Sequence, residues 1–332
     1  MHRLELDQAA GRPVIPTLVV HEGRATALEA AAYSREALDR RLDGDAELTV
    51  LEITSHASVL GAFQRAVRSE QEERLGPLLP RVRRGSGGTT IAVSPGTLHI
   101  VLALRDPAVL VACDPRRVMN RYVRPLLRAL TKTGAQAHYF GRDWVSAAHK
   151  PIAILGCAHD SETRRTVFEA FVATEDALTP AGESRVSFLG KEPTSLATIL
   201  GGDVDVAALR QRVIEAYAGL CECVCERVSA PFAGTLSSDS GVMEEPPWTA
   251  QVEEVMGTLG AGADGEGVFR FGGDLLASRD AVGRVARRVA GLAEATVDAV
   301  GQVVDEELGP TSVLLDGVRD LRNARDVLIR AC

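Results

Sequence analysis

Aromatic residues are scarce in this sequence: Phe, Tyr and Trp supply 4% of its 332 residues. The core must therefore be built from Val, Leu, Ile and Ala, within a hydrophobic fraction of 45%. Excess positive charge is missing too. Lys and Arg number 37 against 45 Asp and Glu, a formal net charge of −8. That argues against a broad nucleic-acid surface, because phosphate binding needs a positive field. No run of 18 apolar residues occurs, so no membrane span is expected. Residues 1–20 carry scattered charges and no continuous apolar stretch, unlike a signal peptide. Six cysteines in a chain of this length do not make a disulfide scaffold. A reduced, cytoplasmic protein is the expectation. Cys221, Cys223 and Cys225 alternate without a His or Cys at zinc-knuckle spacing, and read as small hydrophobes plus one exposed thiol. Cys157 and His159 resemble half a metal site whose second half is not evident.

What is present divides the chain in two, as the length also suggests at roughly 100–200 residues per domain. Residues 14–20, 47–54 and 97–104 read as strands, and 26–42 as a helix with Thr26 as N-cap and Glu29 completing a capping box. Pro77 and Pro80 stop a charged helix over 64–74. An Arg-rich amphipathic helix spans 115–133. Strand-like pieces follow near 135–145, 150–156 and 166–174, then a helix over 205–227. The Ser-, Gly- and Pro-rich stretch 234–249 marks a boundary, giving domains of 1–235 and 236–332. In the second, Val268–Phe271 read as a short strand, and 278–308 and 310–330 read as two helices. Arg284, Arg287 and Arg288 cluster on the first, as a solvated face or a seat for an acidic partner. Strands and helices do not alternate strictly, so the fold class is α+β, with a mixed or mostly antiparallel sheet flanked by helices and a small C-terminal α-rich domain.

The most unusual stretch is Arg81–Thr90. Arg83 and Arg84 precede Gly85, Ser86, Gly87 and Gly88, followed by Thr89. Small residues let backbone N–H groups approach a ligand or form an anion-binding concavity, and arginines add bidentate donors. No Gly-Lys-Ser/Thr follows, so this is not a Walker loop. On strand 97–104, alternation that sends Leu98, Ile100 and Leu102 into the core turns His99 to the other face.

The order of motifs resembles the biotin/lipoate protein ligase family, closest to the lipoate–protein ligases. The Arg84-x-Ser86-Gly87-Gly88 loop, Gly96, the Gly141-Arg142-Asp143 step, the Lys150–Gly156 segment and Pro193–Leu200 carry that resemblance over about residues 15–228. It implies a mixed sheet with a ligand tunnel, and a reaction in two halves. ATP and Mg2+ would activate lipoate or a similar medium-chain acid as acyl-AMP, and a lysine of a lipoyl-carrier domain would then accept the acyl group. Lys150 would be the catalytic lysine. Arg83, Arg84, Ser86, Gly87, Gly88, Thr89 and Gly156 would bind substrate or nucleotide, and Asp143 the metal. The 236–332 region would be an accessory domain. Departures fall on the nucleotide side: Ala92–Pro95 replace an aromatic-His-Asp step, Thr97 an Asn, and the Asn of the Gly-Arg-Asn-Asp step is missing. Two alternatives stay open. One is a thioester transferase using Cys157, whose thiolate a neighbouring cation would favour. The other is a non-catalytic relative that binds an acyl ligand or a protein. His149, beside Lys150, reads as an exposed neighbour.

Overall fold

The computed structural model describes residues 15–74, 79–182, 187–228 and 242–332. In chain order the elements are β1 (Thr17–Ala25), α1 (Ala27–Glu36), β2 (Ala46–Ile53), β3 (Ala57–Leu60), α2 (Glu70–Arg74), β4 (Arg81–Arg83), β5 (Ile91–Val93) and β6 (Leu98–Leu104). There follow α3 (Val118–Lys132), β7 (Ala137–Tyr139), β8 (Trp144–Ala147), β9 (Lys150–His159), β10 (Thr166–Val172), β11 (Thr179–Pro180), α4 (Leu196–Leu200), α5 (Val206–Ala218) and β12 (Val224–Val228). The C-terminal region holds β13 (Ala250–Glu253), β14 (Thr258–Ala263), β15 (Phe269–Gly273), β16 (Leu276–Ser278), α6 (Arg279–Ala290), α7 (Val297–Leu308), β17 (Leu315–Asp316) and α8 (Leu321–Ala331).

The main sheet runs β12-β1-β2-β6-β10-β9-β16-β17, with the β7–β8 hairpin joined to β9. It is mixed. β12, β1 and β2 are parallel, as are β9 and β16, and the other pairs are antiparallel. Both faces are covered, which is why β2, β6 and β10 are almost wholly buried. On one face α3 and α5 close the largest core: Leu98, Ile100 and Leu102 meet Tyr122, Leu126, Leu209 and Tyr217. Against the opposite face lie α1 and a second sheet, β11-β5-β3-β4. A smaller core there joins Ala27, Leu51, Ile91, Val93, Trp144, Ile154, Phe171 and Phe188. Thr26 caps α1 with Glu29 in a full capping box.

The C-terminal region forms its own core from α6, α7, α8 and the β13-β14-β15 sheet. It is not purely helical, and β16 and β17 extend the main sheet. Three helices stand where two were expected, because the chain breaks at the Gly291 C-cap and restarts at the Thr296 N-cap. The expected 205–227 helix ends at Gly219, and Cys225 lies on β12 beside β1. Arg284 pairs with Asp280, Glu162 and Glu307, and Arg288 with Glu306 and Glu307, so two of the three clustered arginines are already neutralised. Part of the expected 234–249 linker lies outside the described residues. No helix among those described is long and apolar enough to cross a membrane.

Candidate active site

The glycine loop sits between β4 and β5 and presses onto the inner face of the main sheet. Its contact point is Gly156 on β9, where an added Cβ would collide with Ser86 Oγ. Only glycine permits that approach. Four successive backbone donors of the loop are used inside the protein. Gly85 N–H donates to Ser34 Oγ at 2.9 Å and Ser86 N–H to Glu169 Oε2 at 3.3 Å. Gly87 N–H donates to the Cys157 carbonyl at 3.0 Å, and Gly88 N–H to the Leu275 carbonyl at 3.0 Å. The anion-binding concavity expected from the sequence is thus closed on its own chain. The segment just before β16 supplies one wall of that closure.

Arg84 is 1% exposed and turns into the loop. Its guanidinium donates to Ser86 Oγ (3.1 Å) and to the Gly87 and Thr89 carbonyls (2.9 and 3.0 Å). Arg83 is also engaged, with Glu245 at 2.9 Å and with the Gln64 and Gly61 carbonyls. Neither arginine reaches outward for phosphate in this conformation. Thr89 and Thr90 are buried, and the Thr90 hydroxyl meets Gln64 Oε1 at 2.6 Å.

Sequence reasoning missed the polar centre beneath the loop. Glu169 on β10 stands opposite Gly156 on β9 and Val101 on β6. Its carboxylate accepts from Ser34 Oγ at 2.8 Å and contacts His99 Nε2 at 2.6 Å. All three residues are fully buried. His99 stacks on Phe171 with ring centroids 4.3 Å apart, and Arg84 lies 5.8 Å from the same ring. Burial alone would push the Glu169 carboxyl up, but the His99 hydrogen bond and the His99 and Arg84 charges outweigh it and hold it below its ordinary value. The reading of His99 as facing away from Leu98 and Ile100 agrees with this placement.

Lys150 stands apart from the loop. It opens β9 opposite Ala147 and is exposed. It lies six residue steps from Gly156 along the strand, about 20 Å at the usual strand rise. The turn before it holds Ala148 and His149 in the left-handed region, at φ 47° and 63°. A second lysine joins this turn: Lys191 Nζ donates to the His149 carbonyl at 3.2 Å and lies 5.5 Å from the Trp144 ring centroid. Trp144 belongs to an apolar cluster with Ile154 on β9 and Phe171 on β10.

Asp143 is buried, its carboxyl pushed up to about 6 by burial. The charge of Arg84 opposes that rise and the charge of Asp316 adds to it. Among the described residues, the three-residue group close enough to share an ion is His21, Asp43 and Glu47, where Arg40 already holds Glu47. Cys157 points away from the loop. Its side chain belongs to the core under α3 and α5, and burial pushes its thiol well above the ordinary value. Both features argue against the thioester-transferase alternative, since the thiolate is the nucleophile. His159 bonds Thr166 Oγ1 at 2.9 Å rather than completing a metal site with Cys157.

Several solved structures are similar to the chain. A chain from the Thermoplasma acidophilum lipoylation system, described as a bi-partite lipoate protein ligase and its E2 lipoyl domain, aligns with a TM-score of 0.51 at 12% identity, over 68% of this chain and 95% of that one. Lipoate-protein ligase A bound with ATP gives 0.51 at 13% identity, over 68% and 97%. The chain has the lipoate–protein ligase fold. P. falciparum LipL1 in complex with lipoate shares it at a TM-score of 0.50 and 10% identity, over 74% of this chain and 80% of that one. No protein-family model and no curated protein matches the sequence. At these identities the likeness fixes the fold, and the chemistry must be argued from the residues.

Proposed function

We propose that this protein is a lipoate-ligase-type enzyme that binds a medium-chain carboxylic acid such as lipoate or octanoate, activates it with ATP as acyl-AMP, and passes the acyl group to a lysine of a lipoyl-carrier domain. The observation that carries this reading is the shared fold, which spans nearly the full length of two ligase chains, one of them bound with ATP. Within that fold the Arg-Ser-Gly-Gly loop rests on β9 at Gly156, and Lys150 opens the same strand. Lys150, an exposed point charge, would stabilise negative charge on the acyl carbonyl and α-phosphate. Residues 1–235 would form the catalytic unit and 236–332 an accessory one. The reading requires the loop to exchange its internal partners for those of the ligand.

A second reading has a specific observation in its favour. Residues 85–88 spend all four N–H groups internally, and Arg83 and Arg84 are both engaged. A relative that keeps the fold without adenylation would look like this. Pyrophosphate release separates the two. Incubation with ATP, Mg2+ and lipoate or octanoate should release pyrophosphate, and adding a lipoyl domain should yield its acylated form. No pyrophosphate with any acid across a chain-length panel would leave the non-catalytic reading standing.

A further inference from the structure

Beside the glycine loop, a half-open pocket of about 30 Å³ lies between the second sheet and the β13-β14-β15 sheet. Its lining includes Gln64, Arg65, Arg81, Thr90, Trp248 and Asp274. Arg65 is 7% exposed, and its guanidinium lies 4.2 Å from the centroid of the Trp248 ring. Its terminal nitrogens donate only to neutral carbonyls, those of Pro246, Pro247 and Gly262, at 2.9, 3.0 and 2.6 Å. Its Nε is buried and has no hydrogen-bond partner. The nearby carboxylates are committed elsewhere: Glu245 to Arg83 at 2.9 Å, Asp264 to Arg270 at 2.9 Å, and Glu72 to Arg81 at 3.3 Å. Among the described residues the buried Arg65 cation therefore has no ion-pair partner, which is costly unless something supplies one.

We propose that this pocket binds a small carboxylate, with Arg65 as its counter-charge and Gln64 and Thr90 beside it. Size and charge both favour a carboxylate over a phosphate. The room is that of about two water molecules, and a single unbalanced cation calls for a monoanion. Asp274 sets the condition for binding. Its carboxyl is pushed up to about 7 by burial, with Asp143 and Glu253 adding to the rise and the Thr258 N–H and Arg84 opposing it. It accepts from the Thr258 N–H at 2.7 Å and from Gln64 Nε2. Protonated, it leaves the pocket with one net positive charge from Arg65. Ionised, it adds a negative charge to the pocket wall and opposes an incoming anion. The inference does not rest on the ligase reading and holds whether or not the protein makes an adenylate.

The test is calorimetric titration of the full chain with acetate and, separately, with inorganic phosphate. Acetate should saturate one site, phosphate should bind at least tenfold more weakly, and acetate affinity should fall about tenfold between pH 6 and pH 8 as a group titrating near 7 loses its proton. Arg65→Gln, with a native circular dichroism spectrum, should abolish the acetate signal. Should that variant fail to fold, Asp274→Asn provides the readout, retaining acetate binding with a flat pH profile. Absence of saturable acetate binding overturns the proposal. So does phosphate binding as tightly as acetate, unchanged binding in folded Arg65→Gln, or an undiminished pH dependence in Asp274→Asn.

Discussion

Gly156 on β9 and Ser86 in the glycine loop touch so closely that a single Cβ on Gly156 would collide with the Ser86 hydroxyl. The loop is thereby seated on the main sheet, with Ser86 N–H on Glu169 and Gly87 N–H on the Cys157 carbonyl. Gly156→Ala should lift the loop and break both bonds. Overpacking of this kind costs about 1–3 kcal/mol. A lowered midpoint in urea unfolding is the expected result, and an unchanged midpoint would show that the loop adapts freely.

Much of this architecture was legible in the sequence because local signals were strong. The Thr26–Glu29 capping box, the strand over 97–104 and the Arg-rich amphipathic helix over 115–133 each correspond to an observed element. The break at Gly291 was missed because apolar residues continue past it. The Cys221–Cys225 segment was misread as helical because its strand character comes from pairing with β1, a contact more than 200 residues away in sequence. For the candidate site the glycine loop was visible, but its internal saturation was not. Ser34, Glu169 and Leu275 lie on α1, β10 and the approach to β16, and no spacing rule connects them to the loop. Arg65 and Asp274 were invisible for the same reason, being joined only through a contact between two sheets.

Thiol reactivity should follow burial. Cys225 and Cys332 are exposed, whereas Cys113 and Cys157 are buried. Burial pushes both buried thiols up, Cys113 to about 12. Brief treatment of the native protein with iodoacetamide should therefore label Cys225 and Cys332 and spare Cys113 and Cys157, as read by peptide mass spectrometry. Cys157→Ala should leave any acyl transfer intact. An acylated Cys157 would reinstate the transferase chemistry.

Asp274 should give the protein a distinctive pH dependence. Its carboxyl rises from an ordinary 3.8 to about 7 on folding. Between those values the folded chain holds a proton that the unfolded chain has released. The group's contribution to stability is therefore full below about pH 4 and is lost as pH climbs through about 7. Asp274→Asn has no such proton to lose. The stability of the variant relative to wild type should increase from pH 5 to pH 7 and level off above, in urea midpoints taken at each pH. A difference that stays flat over that range would place the Asp274 carboxyl near its ordinary value.

Lys150 separates catalysis from structure most cleanly. It is exposed at the first position of β9, beside a turn that Lys191 reinforces through the His149 carbonyl. Lys150→Ala should therefore change stability by no more than about 0.5 kcal/mol, as for other surface substitutions. If Lys150 stabilises charge on the acyl carbonyl and α-phosphate, the same change should slow pyrophosphate release by about 10²–10³. Lys191→Ala provides the control, because its amine is engaged at the turn. A slower Lys191→Ala enzyme with an unaffected Lys150→Ala enzyme would transfer the role from one lysine to the other. Equal, wild-type rates in both would remove the hairpin from the chemistry altogether.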